Sequence, residues 1–136
     1  MNNKSIRWKQ RFSNFEKAFK QLENAVNLEK LSELERSGLI QTFQYSFELS
    51  WKTLKDFLES EGISCSSPRE SIKEAFKAGY IEEGHAWIEA LDARNMLTHT
   101  YNNDLATLAE KNIKEKFYPF LKIFHSQFLL KKGTNE

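Results

Sequence analysis

Trp8, Phe12, Phe15, Phe19, Leu22 and Val26 follow one another at steps of four, three, four, three and four residues. That rhythm places six large apolar side chains along one stripe of a helix. It cannot line one face of a strand, whose sides alternate at every residue. The stripe predicts a long helix over roughly residues 4 to 30. Ile40, Phe43, Phe47, Trp51, Leu54 and Leu58 repeat the pattern and predict a second helix over about 33 to 60, with Gly62 just beyond its end.

The remaining segments extend the same architecture. In "SCSSPRESIKEAFKAG", Ser67 is a good N-cap, Pro68 fits the first helical position, and Glu70 is placed to complete a capping box. With Gly79 as the stop, this predicts a short helix over about 68 to 78. A fourth helix over about 82 to 98 carries Trp87, Ile88 and Leu91, and Asn102 to Asp104 supply turn and cap residues after it. A last helix over about 104 to 131 carries Ile113, Phe117, Phe120, Phe124 and Phe128 on one stripe, with Pro119 inside it as an expected kink. No segment has strand periodicity, and 5 Gly and 2 Pro leave little room for a turn-rich β architecture. The expected fold is all-α: an up-and-down bundle of four main helices plus one short helix. It forms a single domain over residues 1–131, with 132–136 as a frayed C-terminal tail. The same stripes would also serve dimerisation, because surface and interface helices share one periodicity.

Charge and composition narrow the function. A net charge of +1 argues against a protein that coats nucleic acid, though not against a local phosphate site. The single Cys65 forms no internal disulfide and reads as a semi-buried loop thiol. No Cys/His zinc spacing occurs, so no metal site is expected. The start "MNNKSIRWKQRF" has no apolar core of a signal peptide, and no apolar run approaches the roughly 20 residues of a membrane span. The expected setting is the cytoplasm, with no membrane partner.

The chemistry-bearing stretch is "LDARNMLTHTYNND", residues 91 to 104. On a helical wheel, Trp87, Ala90, Leu91, Leu97 and Thr98 fall within about 60° of Arg94, which places Arg94 near the middle of the apolar face. A guanidinium keeps its proton and is costly to bury alone, so it must meet a carboxylate, backbone carbonyls, a phosphate or trapped water. Glu48 on the second helix is a candidate partner. An internal ion pair or a snorkelling arginine is the structural alternative to a ligand site. His99 lies roughly 140° around an unbroken helix from Arg94, on the side of Asp92 and Asn95. The two converge on one ligand only if the helix unwinds near Thr98 or a two-fold dimer brings in a second copy. Alone, His99 reads as a helix C-terminal cap and Tyr101 as a packing tyrosine with a wet hydroxyl. His85 and His125 lack catalytic spacing and read as surface residues.

"RNMLTHTY" also has the form R-x4-H-x-Y, and in this it resembles the signature of HEPN domains. "YSFELSWKTLKDFLESEG" and the Pro-initiated helix after it resemble one branch of that superfamily, the nucleotidyltransferase substrate-binding subunits, which include the HepT-type toxins. The resemblance covers about residues 8 to 128 and shows no departure at the signature positions.

The resemblance implies a helical homodimer, encoded beside a separate minimal nucleotidyltransferase with which it forms a hetero-oligomer. It implies that Arg94 and His99 are the catalytic residues of a metal-independent ribonuclease acting on RNA at a dimer interface. Arg94 would stabilise the pentacoordinate phosphorus, and His99 would act as general acid or base toward a ribose 2′-hydroxyl. Tyr101 would be the modification site, accepting AMP from the partner. From the residue reading above, Glu48, Asp92 and Asn95 are the candidate supporting residues. The chain itself needs no cofactor, whereas the partner needs ATP and Mg²⁺. This chain lacks the G-S turn and D-x-D pair of a nucleotidyltransferase, as well as any glycine-rich phosphate loop. Two further readings stay open beside the toxin of a two-gene pair. One is a non-catalytic helical dimer that binds nucleotide or substrate and presents it to the transferase. The other is a plain helical dimer with a structural Arg94.

Overall fold

The computed structural model describes residues 3–134. Helix α1 (Asn3–Val26) leads into α2 (Glu33–Ser60), a short α3 (Pro68–Lys77), α4 (Gly84–His99) and α5 (Asn103–Asn112). A π-helical stretch, Ile113–Phe117, then continues without a break into α6 (Tyr118–Thr134). The described residues contain no strand, and the fold is the expected all-α bundle.

Ion pairs and hydrogen bonds fix the helix directions. Arg7 meets Glu59 and Arg11 meets Asp56, so α1 and α2 run antiparallel. Ser13 with Lys132, Glu16 with His125 and Glu23 with Tyr118 align α1 antiparallel to α6. Lys116 of the π-helical stretch with Glu89 of α4, and Gln127 of α6 with Glu82 just before α4, set α4 antiparallel to the last helical segment. The two apolar stripes read from the sequence converge in the middle. Phe12, Phe15, Phe124 and Phe128 pack ring against ring, with Trp8 and Phe57 at one end and Phe47, Trp87 and Phe120 toward the other. These side chains are almost fully buried, and burying each contributes on the order of 1.5–3 kcal/mol before entropy is counted.

Local rules explain the helix ends. Ser32 and Glu35 form a complete capping box at the start of α2, with bonds of 3.1 and 2.8 Å. After α2 and again after α3, a glycine takes positive φ, at 87° for Gly62 and 84° for Gly79. In each case the residue after it reaches back into the helix, Ile63 N–H to Leu58 O at 2.8 Å and Tyr80 N–H to Ala75 O at 2.9 Å.

Four expectations need correction. The capping box of α3 is only half formed: Ser67 Oγ accepts from Glu70 N–H, but the Glu70 carboxylate goes to Ser66, which offers both an N–H and a hydroxyl. Helix α4 begins at Gly84 rather than near residue 82; the Phe76 ring packs so close to Gly84 that a Cβ there would sit 2.9 Å from it. The last helix, expected as one helix kinked at Pro119, is divided: α5 ends at Asn112 and a π-helical stretch leads into α6. Proline offers no N–H to the preceding turn, and just before it the helix widens so that Tyr118 N–H bonds Ile113 O, five residues back. The tail expected from residue 132 is helical through Thr134, and Lys132 Nζ bonds Ser13 Oγ at 2.8 Å; residues 135 and 136 lie outside the described residues.

His125 is also not a free surface histidine. Its ring stacks on Phe19 at 5.0 Å and on Phe12 at 5.8 Å, and its Nε2 lies 3.0 Å from Glu16. His85 is exposed. Cys65 is buried in the α2–α3 loop, and burial, reinforced by Glu70 and Glu74, pushes its thiol pKa up. Among the described residues, no helix is long and apolar enough to cross a membrane.

Candidate functional site

The core covers α4 at Trp87, Ala90 and Leu91, and then stops. Arg94, one turn later, is about a quarter exposed, and Thr98 is exposed. Arg94 is therefore at the edge of the apolar face rather than at its centre. The wheel gave its direction, but beside Arg94 the α2 wall is polar, with Gln41, Gln44, Tyr45 and Glu48 around an open groove rather than apolar side chains packed against it.

The Arg94 guanidinium meets Glu48 of α2: Nη2 donates to Glu48 Oε2, and Nη1 donates to Asn95 Oδ1 at 2.9 Å. Glu48 is itself fixed by its neighbours. Its Oε2 accepts from Trp51 Nε1 at 2.9 Å, and its Oε1 lies 3.6 Å from Lys52 Nζ. These contacts use two of the five N–H donors of the guanidinium, so donors remain for an incoming oxyanion.

Arg94 lies on the wall of an open groove of about 620 Å³ between α2 and α4. Gln41, Gln44, Tyr45 and Glu48 line it from α2, and Arg94, Asn95, Thr98 and His99 from α4. Arg94 and His99 thus share one groove although α4 stays helical through His99. Their directions still differ by roughly 140° around the helix, so sharing the groove is not the same as converging on one ligand. Arg94 is long, and the groove is broad enough to take in both sides of the helix end.

The other expected site residues divide. Asn95 lines the groove and holds Arg94. Asp92 points elsewhere, pairing with Arg69 of α3 at 2.7 Å. Tyr101 follows the end of α4, in the extended linker that starts at Thr100, and is 52% exposed; it is not among the described residues that line the groove. Asn102 then caps α5, its side chain accepting from Leu105 N–H at 2.9 Å. The α2 wall of Gln41, Gln44 and Tyr45 was not anticipated. Its signal was the spacing of these residues with Glu48, at i, i+3, i+4 and i+7.

Residues 10–129 match the family described as "Nucleotidyltransferase substrate binding protein like". The chain belongs to this family. The match encloses the whole groove and Tyr101. The chain is also 30% identical, over 101 residues, to a protein of Haemophilus influenzae named "Probable ribonuclease HepT". That similarity spans 71% of this chain and 65% of the relative's length, just under two thirds. Among solved structures, the fold resembles a crystal structure of a Thermus thermophilus protein with a TM-score of 0.74 and 32% identity, covering 87% of this chain and 98% of that one. The substrate-binding-protein-like fold therefore accounts for nearly all of the bundle, and the α2–α4 groove falls inside the part shared with the family.

Proposed function

We propose that this family member is the HEPN-type ribonuclease subunit of a two-gene pair, controlled by a separately encoded minimal nucleotidyltransferase. The observation that carries the reading is that Arg94 and His99, the first two members of the R-x4-H-x-Y signature, line one groove. The kinship with a probable ribonuclease agrees with it.

The chemistry follows from the two side chains. His99 takes the proton of a ribose 2′-hydroxyl as its oxygen attacks the adjacent phosphorus. The bond from phosphorus to the 5′-oxygen breaks, and that oxygen leaves with a proton from water. The products are a 2′,3′-cyclic phosphate and a 5′-hydroxyl. Arg94 stabilises the charge that builds on the phosphoryl oxygens, a task suited to a group that Glu48 and Asn95 already hold in place. No metal is required for this route, because the nucleophile belongs to the RNA.

Tyr101 is the control point. The partner nucleotidyltransferase, with ATP and Mg²⁺, catalyses attack of the Tyr101 hydroxyl on the α-phosphorus; pyrophosphate leaves, and AMP stays on the tyrosine. The exposure of Tyr101 suits access by a second enzyme. Tyr101 follows His99 by two residues, so the adduct adds anionic bulk close to the groove end where RNA would enter.

A second reading has its own support. The family is described by substrate binding, as expected of a subunit that presents nucleotide or substrate to the transferase without cutting RNA. Incubation with the nucleotidyltransferase, ATP and Mg²⁺, followed by intact mass measurement, tests the first reading. A gain of one or more AMP units on Tyr101 supports it, whereas a stable complex with an active transferase and no adduct favours the second.

A further inference from the structure

The groove is larger than one phosphate requires. Its volume of about 620 Å³ lies within the range of sites that enclose small organic ligands, about 300–1,000 Å³. Its two walls differ in chemistry. The α4 wall carries the signature residues, and the α2 wall carries Gln41, Gln44 and Tyr45 beside Glu48. Tyr45 is 57% exposed, an aromatic ring left open on a wall of amides. The opposite side of α2 buries Phe43 and Phe47, so the core makes no use of the Tyr45 ring.

Charge narrows what this wall can bind. Among the residues that line the groove, the Glu48 carboxylate offsets the Arg94 guanidinium, so the wall carries little fixed positive charge. Such a site holds a polyanion weakly through its phosphates. Most of the affinity for RNA must then come from the bases. An exposed tyrosine offers every base a stacking surface, and two glutamine amides offer donors and acceptors to its edge.

We infer that Tyr45 is a stacking platform for a nucleobase of single-stranded RNA next to the bond being cut, and that Gln41 and Gln44 read the edge of that base. The inference rests on the ribonuclease reading of Arg94 and His99, and it names what sets sequence preference at that site. Arg94 and His99 act on the phosphate and sugar, which every nucleotide shares. The α2 wall distinguishes one base from another.

The test uses the full chain and a short fluorescent 2′-O-methyl RNA of mixed sequence, which binds but cannot be cut because its 2′-oxygens are blocked. Fluorescence anisotropy reads the affinity. Tyr45→Ala is expected to weaken binding about ten-fold or more and Tyr45→Trp to restore it. Gln41→Ala with Gln44→Ala is expected to level the affinities for RNAs differing at one base. The plot of log affinity against log salt should be shallow, with a slope near −1, as for one or two phosphate contacts. Unchanged binding by Tyr45→Ala, with binding lost in Arg94→Ala, would overturn the stacking role and leave the ribonuclease reading standing. Absence of RNA binding by the unmodified chain would overturn both. A changed oligomeric mass for Tyr45→Ala, with RNA affinity intact, would also overturn the inference by placing Tyr45 in a protein interface.

Discussion

Glu48 and Arg94, 46 residues apart in the chain, are joined across α2 and α4 by a hydrogen-bonded ion pair that Trp51 and Asn95 hold from either side. Both side chains are about a quarter exposed, so solvent and salt screen the attraction. A double-mutant cycle with Glu48→Ala and Arg94→Ala, read by chemical denaturation, should give a coupling of about 1 kcal/mol that shrinks at high salt. A coupling near zero would mean that the pair does not position the guanidinium.

Arg94→Ala and His99→Ala separate function from stability. His99 is exposed at the end of α4, so its removal should alter folding stability by no more than about 0.5 kcal/mol. RNA cleavage should fall at least about a hundred-fold in either variant. Circular dichroism and a gel-based cleavage assay on the same preparations check this together.

Under the proposed control, Tyr101→Phe should cleave RNA in the presence of the nucleotidyltransferase, ATP and Mg²⁺, conditions expected to silence the unsubstituted chain. Continued silencing of the variant would rule out Tyr101 as the sole control site. Exposure of Tyr101 at 52% means that loss of its hydroxyl should leave stability unchanged.

Part of the fold was legible because repetition carries it. The α1 and α2 stripes each repeat over several turns, and Gly62 marked the end of the second helix, whereas the Ser32–Glu35 capping box at its start went unread. The widened turn before Pro119 was less legible. Proline predicts a disturbance, but which hydrogen bonds re-form depends on the neighbouring helices. The candidate site was legible as a motif and not in its arrangement. The wheel placed Arg94 toward the core and offered Glu48 as a partner, yet it could not show where burial stops along α4. Gln41, Gln44 and Tyr45 escaped notice because polar residues on a helix face look the same whether they meet water or a ligand.

Tyr118 gives a prediction at high pH. Burial, reinforced by its hydrogen bond to Glu23, pushes its pKa from the ordinary 10.0 up to about 12. A folded-state pKa above the unfolded one stabilises the fold fully below pH 10.0, and that contribution is lost as pH rises toward about 12. Tyr118→Phe should therefore flatten the fall in stability across this window and cost about 1 kcal/mol at neutral pH. Denaturant unfolding at several pH values reads both effects.

Glu110 works in the opposite sense. The Arg36 hydrogen bond, with Lys114 beside it, holds its pKa below the ordinary 4.5 against a smaller opposing effect of burial. Its contribution is complete above pH 4.5 and disappears as pH falls through the lowered value. Arg36→Met should remove that part of the acid sensitivity, seen as a shallower stability loss below pH 4.5.

The most direct test of the groove as a ribonuclease site is cleavage of RNA by the purified chain in excess chelator, with the new ends identified chemically. The account predicts 2′,3′-cyclic phosphate and 5′-hydroxyl ends, and loss of cleavage in Arg94→Ala and His99→Ala. RNA left intact by the unsubstituted chain, or cut equally by the Arg94→Ala variant, would contradict it.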